Sequence, residues 1–242
     1  MNVLHALFLV LIGVGAGFVQ RISGFGLCIF AMVFLPHFMP THTAAAAISG
    51  IFSCVLTAYN AICYRKQIAY KIAWPMICAS LVSIPIAVHF SAAVSAHIFK
   101  ILLGCVLILL SIYFIFFNRN VRIKPTVTSG VLAGMLGGGL GGLFSTGGPP
   151  VVLYLNSATS ENMVYFATIS FYFAFTDTYA TAVRVINGII TPQILLYAVI
   201  GVAGCLTGDF IGKKVFDQLD SDKLKKIIYI GMIISGIVML FS

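Results

Sequence analysis

Read from its first residue, the chain is a succession of apolar runs separated by short polar or glycine-rich punctuation. Runs ended by charge, proline or glycine predict ten helical pieces. They fall at about 3–19, 24–38, 42–63, 72–90 and 98–117 in the first half, and about 127–141, 149–159, 162–184, 191–211 and 225–241 in the second. The opening pair of each half is shorter than the ~20 residues a helix needs to cross a bilayer. Two interruptions stand apart from the rest. Residues 17–28 (GFVQRISGFGLC) and 138–150 (GGLGGLFSTGGPP) are glycine-rich breaks within apolar sequence, 121 residues apart in a chain of 242. Glycine clusters interrupt helices and free backbone N–H and C=O groups that hydrocarbon cannot satisfy. Inside a membrane such breaks persist where they line a cavity or a bound solute. A matched pair in two halves is the sequence pointer to a transporter's binding site.

Composition narrows the class to an all-α integral membrane protein. The chain is 60% hydrophobic and 8% charged, against about 25% charged residues in a soluble domain, and its mean hydropathy is +1.08. The formal charge of +8 does not indicate nucleic acid, because the basic residues sit mostly in short loops, where membrane proteins carry them. The N-terminal MNVLHALFLVLIGVGAGF lacks a basic leader and an A-x-A cleavage site and reads as a retained helix. The six cysteines show no CxxC pair, and the histidines show no HxxxH spacing. Neither a disulfide framework nor a metal site is expected, and no cofactor. Trp74 reads as an interfacial anchor.

Charge placement discriminates between topologies. If each opening pair forms one broken span, there are eight crossings. Arg65, Lys66, Lys71, Arg119, Arg122, Lys124 and Arg184 then face one side, and Lys100, Lys213, Lys214, Lys223, Lys225 and Lys226 the other, seven against six. If each pair instead enters and returns on the same side, Arg184 joins Lys100 and the count becomes eleven against two. The second arrangement satisfies the positive-inside rule and makes the halves, 1–121 and 122–242, an inverted repeat within one membrane domain of about 8–10 helices. Residues also register at an offset of 121: Gly13, Gly17 and Gly26 on Gly134, Gly138 and Gly147, Ile48–Ser49 on Ile169–Ser170, and Phe52 and Thr57 on Phe173 and Thr178. Each half opens with a glycine-broken helix pair, re-entrant or discontinuous.

The breaks carry the candidate chemistry. Ser145 and Thr146 precede Gly147-Gly148, and Pro149 opens the next helix, a helix-start signature. Ser23 stands likewise ahead of Gly24, Phe25 and Gly26, preceded by Gln20 and Arg21. Two such helix N-termini aimed inward would present N–H groups and positive dipole ends to an anion. The competing use of these glycines is close helix packing, which is the expectation for the GxxxG pairs Gly13–Gly17 and Gly134–Gly138. Arg21 is either a bidentate anion ligand or a snorkelling arginine at an interfacial turn. Asp177 is the one acid well inside an expected span, a candidate for proton coupling or for a structural pair with Arg184 two helical turns on. Asp209 reads as a surface partner of Lys213. Thr57, Tyr59, Asn60, Thr178, Tyr179 and Thr181 either line a path or bond between helices.

GFVQRISGFG followed by Pro36, and GGLGGLFSTGGPPVVLYL, resemble the two repeat patterns of the TauE/SafE family of sulfite exporters across the whole chain. The resemblance implies a multi-pass carrier of a bacterial-type cytoplasmic (inner) membrane, handling sulfite, organosulfonates or related sulfur-containing and organic anions. The expectation is therefore a secondary-active transporter and not an enzyme. Its partners would be a small anionic solute, membrane lipid and protons as candidate coupling ions, with no nucleic acid. Substrate contacts are expected from Gln20, Arg21, Ser23, Gly24, Phe25, Gly26, Ser145, Thr146, Gly147, Gly148 and Pro149, and coupling from Asp177. An anion channel or a membrane helper protein without active transport is the alternative.

Overall fold

In a computed structural model, residues 3–116 and 124–215 are described, with 230, 233, 234, 237, 238 and 240. The helix expected at 225–241 lies largely outside the described residues. The described chain is helical, without a strand: α1 Val3–Ser23, α2 Gly26–Phe38, α3 His42–Cys63, α4 Tyr70–Ala93, α5 Ala96–Phe116, α6 Val127–Phe144, α7 Gly148–Ala158, α8 Asn162–Ile186 and α9 Pro192–Val215, with a 3₁₀ turn at Arg65–Gln67. Helices α1 (from His5), α3, α4, α6 and α9 (to Lys214) are long and apolar enough to cross a membrane. Polar signals set several starts. Thr41 Oγ1 accepts from Ala44 N at 3.1 Å, and Thr126 and Ser129 close a reciprocal capping box on α6.

Both opening helices run longer than expected. α1 continues to Ser23 and α6 to Phe144, so each break shrinks to a few residues and Arg21 becomes part of α1. Glycine tolerates helical geometry once tertiary contact supports it. α2 and α7 are short, and each doubles back on its predecessor. The rings of Phe8 and Phe38 stack at 5.0 Å, joining the start of α1 to the end of α2, while Gly130 faces Tyr154 and Gly137 faces Val151.

Close crossings fix the relative directions. A β-carbon on Gly13 or Gly17 would collide with the carbonyls of Gly201 and Cys205, and one on Gly204 or Gly208 with those of Val10 and Val14. Residue numbers rise together, so α1 and α9 are parallel. Gly134, Gly138 and Gly142 meet Met76, Ser80 and Ile84 in the same way, making α4 and α6 parallel. The GxxxG pairs are thus packing surfaces, on which small residues let backbones touch. The contacts are reciprocal: α1 packs on α9, α4 on α6, and α3 on α8.

These directions bring Arg21, Arg65, Lys66, Lys71, Lys124, Lys213 and Lys214 to one end of the bundle. Lys100 lies toward the other end. The core runs through the centre, where Leu27, Leu35, Ile48, Phe52, Leu56 and Ile169 are buried. The outside is apolar instead of charged: Ile62, Ile86, Leu109 and Val199 are among its exposed side chains, as a lipid-facing surface requires. Trp74 and Tyr70 pack on Phe171 at the cation-rich end.

Gly139 gives the control for this packing. A β-carbon there meets nothing within 4 Å, so Gly139→Ala is expected to stabilise the protein by about 0.4–1 kcal/mol through lost unfolded-state entropy, read as a slightly raised melting temperature.

Candidate functional site

The first break is closed on itself. Gly24 adopts φ 80°, a conformation that favours glycine. The Gln20 amide spans the turn, Nε2 donating to Gly24 O at 2.8 Å and Oε1 accepting from Leu27 N at 3.2 Å. Ser23 Oγ accepts from Gly26 N at 2.9 Å and donates to Val19 O at 2.8 Å. The first N–H groups of α2 are therefore already satisfied by side chains.

The second break is built around a buried cation. Ser145 ends α6 in the left-handed region, φ 57°, and its hydroxyl donates to Ala46 O of α3 at 2.7 Å. Arg184, 2% exposed, sits near the end of α8. Its Nη2 donates to Gly141 O at 3.0 Å, Gly142 O at 3.1 Å and Ser145 Oγ at 3.0 Å. Those carbonyls belong to the last turn of α6, at the negative end of the helix dipole, where Gly141 O also accepts from Ser145 N at 2.9 Å. A β-carbon on Gly50 would lie 2.6 Å from Arg184 Nη1, so glycine at that position admits the guanidinium. Counting Arg184 with the loop cations is thus overturned: α8 extends past it, and α3 and α6 close over it.

The two breaks touch, since a β-carbon on Gly148 would stand 2.9 Å from the Phe25 ring. Beside them lies a small cavity with about 10 Å³ open to the centre of a water molecule. Gly137, Gly141 and Gly147 line one side and Tyr172, Thr176 and Asp177 of α8 the other. That is room for about one water, and sulfite would need the walls to part. Around the breaks, buried polar atoms stand without hydrogen-bond partners: Ser49 Oγ, Thr146 Oγ1, Ser170 Oγ and Asp177 Oδ2. Ser49 and Ser170 are the pair that registers at the 121-residue offset. Orphaned buried hydroxyls are rare in folded proteins, and a polar solute or water is the physical remedy.

Of the residues expected from sequence, Phe25, Ser145, Thr146, Gly147, Gly148 and Pro149 are gathered at the meeting of the breaks, all buried. Gln20, Ser23, Gly24 and Gly26 shape the first break. Arg21 is held elsewhere: Nη2 donates to Tyr64 Oη at 2.8 Å, and the guanidinium lies 5.5 Å from the Tyr64 ring centre and 5.2 Å from that of Phe166. Asp177 lies beside Ser53 and lines the cavity, while the Arg184 hydrogen bonds go to the second break. Asp209 is 5% exposed, which overturns a surface pair with Lys213. Burial follows from the α1–α9 contact, whose glycines draw the end of α9 inward. No cluster of three potential metal ligands occurs among the described residues.

The sequence offered Arg184 as a helix-end charge or as the structural partner of Asp177 two helical turns away, and neither reading placed it against the second break. The phase of α8 carries its burial: Ser170, Asp177 and Arg184 lie within an arc of about 40° at 100° per residue, and all three are buried. No curated protein and no solved structure matches the chain. The family described as sulfite exporter TauE/SafE matches it over residues 9–239. That span takes in both breaks, the cavity and α8. With an all-helical fold, five apolar helices able to cross a membrane and this family match, the chain belongs to the TauE/SafE sulfite exporters, a family of membrane transporters.

Proposed function

We propose that this protein is a secondary-active carrier of small anions, with sulfite, organosulfonates and related sulfur-containing or organic anions as its substrate class. The observation that carries the reading is the buried Arg184 against the second break, beside a small cavity and four unpartnered polar atoms. A buried cation is costly unless it is paired; here it sits among backbone carbonyls, so an anion in the opened cavity gains a charge already in place. Ser145, Thr146, Gly147, Gly148 and Pro149 form one wall of the proposed site, with Phe25 closing it, and glycine lets the solute approach the backbone. Gln20, Ser23, Gly24 and Gly26 keep the first break in shape.

The halves 1–121 and 122–242 read as an inverted repeat. Supporting this, α1 and α3 run along α9, whereas α6 and α8 run along α4, and the inter-half contacts are reciprocal. The cation-rich end is assigned to the cytoplasm of a bacterial-type inner membrane. Alternating access follows if one repeat rocks against the other about the breaks. A cavity with room for about one water favours a carrier over an open channel.

Counterflow of radiolabelled sulfite in proteoliposomes tests the reading, with unlabelled taurine, sulfoacetate, thiosulfate and lactate as competitors. Saturable counterflow with a winning competitor is expected. Its absence from monodisperse protein would overturn the carrier assignment for these anions.

Two substitutions separate the roles. A carboxylate facing an anion repels it, whereas the protonated acid donates a hydrogen bond, so Asp177 is the candidate that ties anion binding to a proton. Asp177→Asn mimics the neutral acid and is expected to retain exchange at symmetric pH while losing accumulation driven by a pH gradient; accumulation equal to wild type would remove the coupling role. Arg21 faces the cation-rich end and is proposed to draw the anion in. Arg21→Ala should raise KM by up to about tenfold at low ionic strength and less at high. An unchanged KM at low salt would take Arg21 off the path.

A further inference from the structure

One face of α3 carries a line of polar residues that the anion site does not use. Ser53, Thr57, Asn60 and Tyr64 fall within an arc of about 60° at 100° per residue, and the first three are buried. The line begins at the cavity, where Ser53 lies beside the Asp177 carboxyl. Seven residues on, about 10 Å at 1.5 Å per residue, Asn60 is 0% exposed. Both of its amide atoms lack a hydrogen-bond partner. Next to it, from α9, stands the buried Asp209, within side-chain reach of the amide, yet neither the amide atoms nor Oδ1 meets a partner in full hydrogen-bond geometry. Thr57 Oγ1 donates to Ser53 O at 2.6 Å, which leaves its lone pairs free to accept. An amide and a carboxyl buried together and left unsatisfied are expensive in a membrane. Their retention at the cation-rich end calls for something small and polar between them.

We propose that the Ser53–Thr57–Asn60 face of α3 is a proton pathway joining Asp177 in the cavity to Asp209 near the cytoplasmic end. This rests on the carrier reading above and names its coupling route. The ligand at Asp209 is a proton and not a metal cation. The neighbours are one carboxyl and one amide flanked by cations, and the helical carbonyls around them are already engaged. The Asp209 carboxylate takes a proton from cytoplasmic water. Asn60 holds the bridging water with its amide atoms; Thr57 Oγ1 accepts a proton from that water and turns its own from the Ser53 carbonyl to Ser53 Oγ, which releases one to Asp177. The Asp177 carboxylate receives the last, so the path itself is unchanged after each passage. Titratable and charged groups surround both ends. Asp209 is faced by Arg21 of α1, Tyr59 of α3 and Lys213 of its own helix. Asp177 is faced by Cys28 of α2, Cys54 of α3, and Tyr172 and Arg184 of its own helix. The Arg21 guanidinium is committed to the Tyr64 hydroxyl, which leaves the Asp209–Asn60 gap to the proton.

The test uses the full chain in proteoliposomes and reads two quantities for each variant: radiolabelled sulfite counterflow at symmetric pH, and sulfite accumulation under an imposed pH gradient, normalised to that counterflow. Each pH unit supports up to about tenfold accumulation per coupled proton. Asp209→Asn and Asn60→Leu should each retain counterflow and bring the gradient-driven factor down to about one, while Asp209→Glu restores it. Retained accumulation in Asp209→Asn would overturn the pathway, as would loss of counterflow and accumulation together. Wild-type counterflow without gradient-driven accumulation would overturn the pathway and leave the carrier reading standing. Absence of wild-type counterflow would overturn both.

Discussion

Arg184→Ala is expected to abolish sulfite counterflow and to destabilise the protein by about 3–5 kcal/mol, the usual cost of removing one partner from a buried charged network. Three acceptors lose the guanidinium at once, Gly141 O, Gly142 O and Ser145 Oγ, of which Gly141 O keeps Ser145 N as a second donor. Ser145 also ties the second break to α3 through Ala46 O, so the disturbance reaches both walls of the proposed site. Arg184→Lys separates charge from geometry. Lysine keeps the positive charge and three donors on a shorter side chain, so its ammonium falls short of the position from which Nη2 alone meets all three oxygens. Folded protein with sulfite binding about 10- to 100-fold weaker is the expected outcome for lysine, from the loss of charge-assisted bonds worth about 1.5–3 kcal/mol each. Melting temperature and counterflow measured on both variants check it. Wild-type transport by Arg184→Lys would mean that charge alone suffices, and wild-type transport by Arg184→Ala would remove Arg184 from the site altogether.

The second large effect is expected at the helix crossings, away from any solute. Gly17→Val and Gly208→Val each drive a branched side chain into a backbone carbonyl, of Cys205 and Val14 respectively. Overpacking a core costs about 1–3 kcal/mol when side chains can yield. Here the obstacle is main chain, so α1 and α9 must separate and the loss should exceed that range. Little monodisperse protein is expected from either variant, in contrast to the gain predicted for Gly139→Ala. Size-exclusion profiles and thermal denaturation distinguish the cases. Wild-type stability in Gly17→Val would contradict the parallel α1–α9 contact on which the assignment of helix directions depends.

Much of the architecture was legible in the chain. Apolar runs set the helices because a bilayer rewards little else, and all but the last of the expected pieces correspond to described helices. The asymmetry of the cations anticipated the doubling back of α2 and α7. The GxxxG pairs were read as packing surfaces and are such surfaces. The boundaries were less legible. Glycine marks where a helix can end, yet Gly13, Gly17 and Gly24 differ in outcome although their residue type is the same. The first two are held helical by α9, and only the third turns to positive φ.

Site residues divide in the same way. The Gly147–Pro149 corner announces itself as a helix start, a local property, whereas neither Ser145 nor Thr146 caps α7: its N-cap is Gly147, without a side-chain hydrogen bond. Arg21 and Arg184 do not announce themselves, because whether an arginine near a helix end snorkels or is buried depends on what packs over it. Arg21 meets Tyr64 and Phe166, and Arg184 meets the end of α6. Asp209 was assigned to the surface for lack of that information, and its neighbour Asn60 belongs to another helix.

The sequence by itself determined the membrane class, the helices, the two breaks and the family, since each follows from composition, periodicity or short-range motif. Tertiary structure alone decided which cation is buried, which break is capped and which stays open. It also decided that one face of α3 joins two buried acids. Those outcomes depend on the direction and closeness of helices far apart in the chain. A side chain's burial and partners are properties of that pairing and not of the segment that carries it.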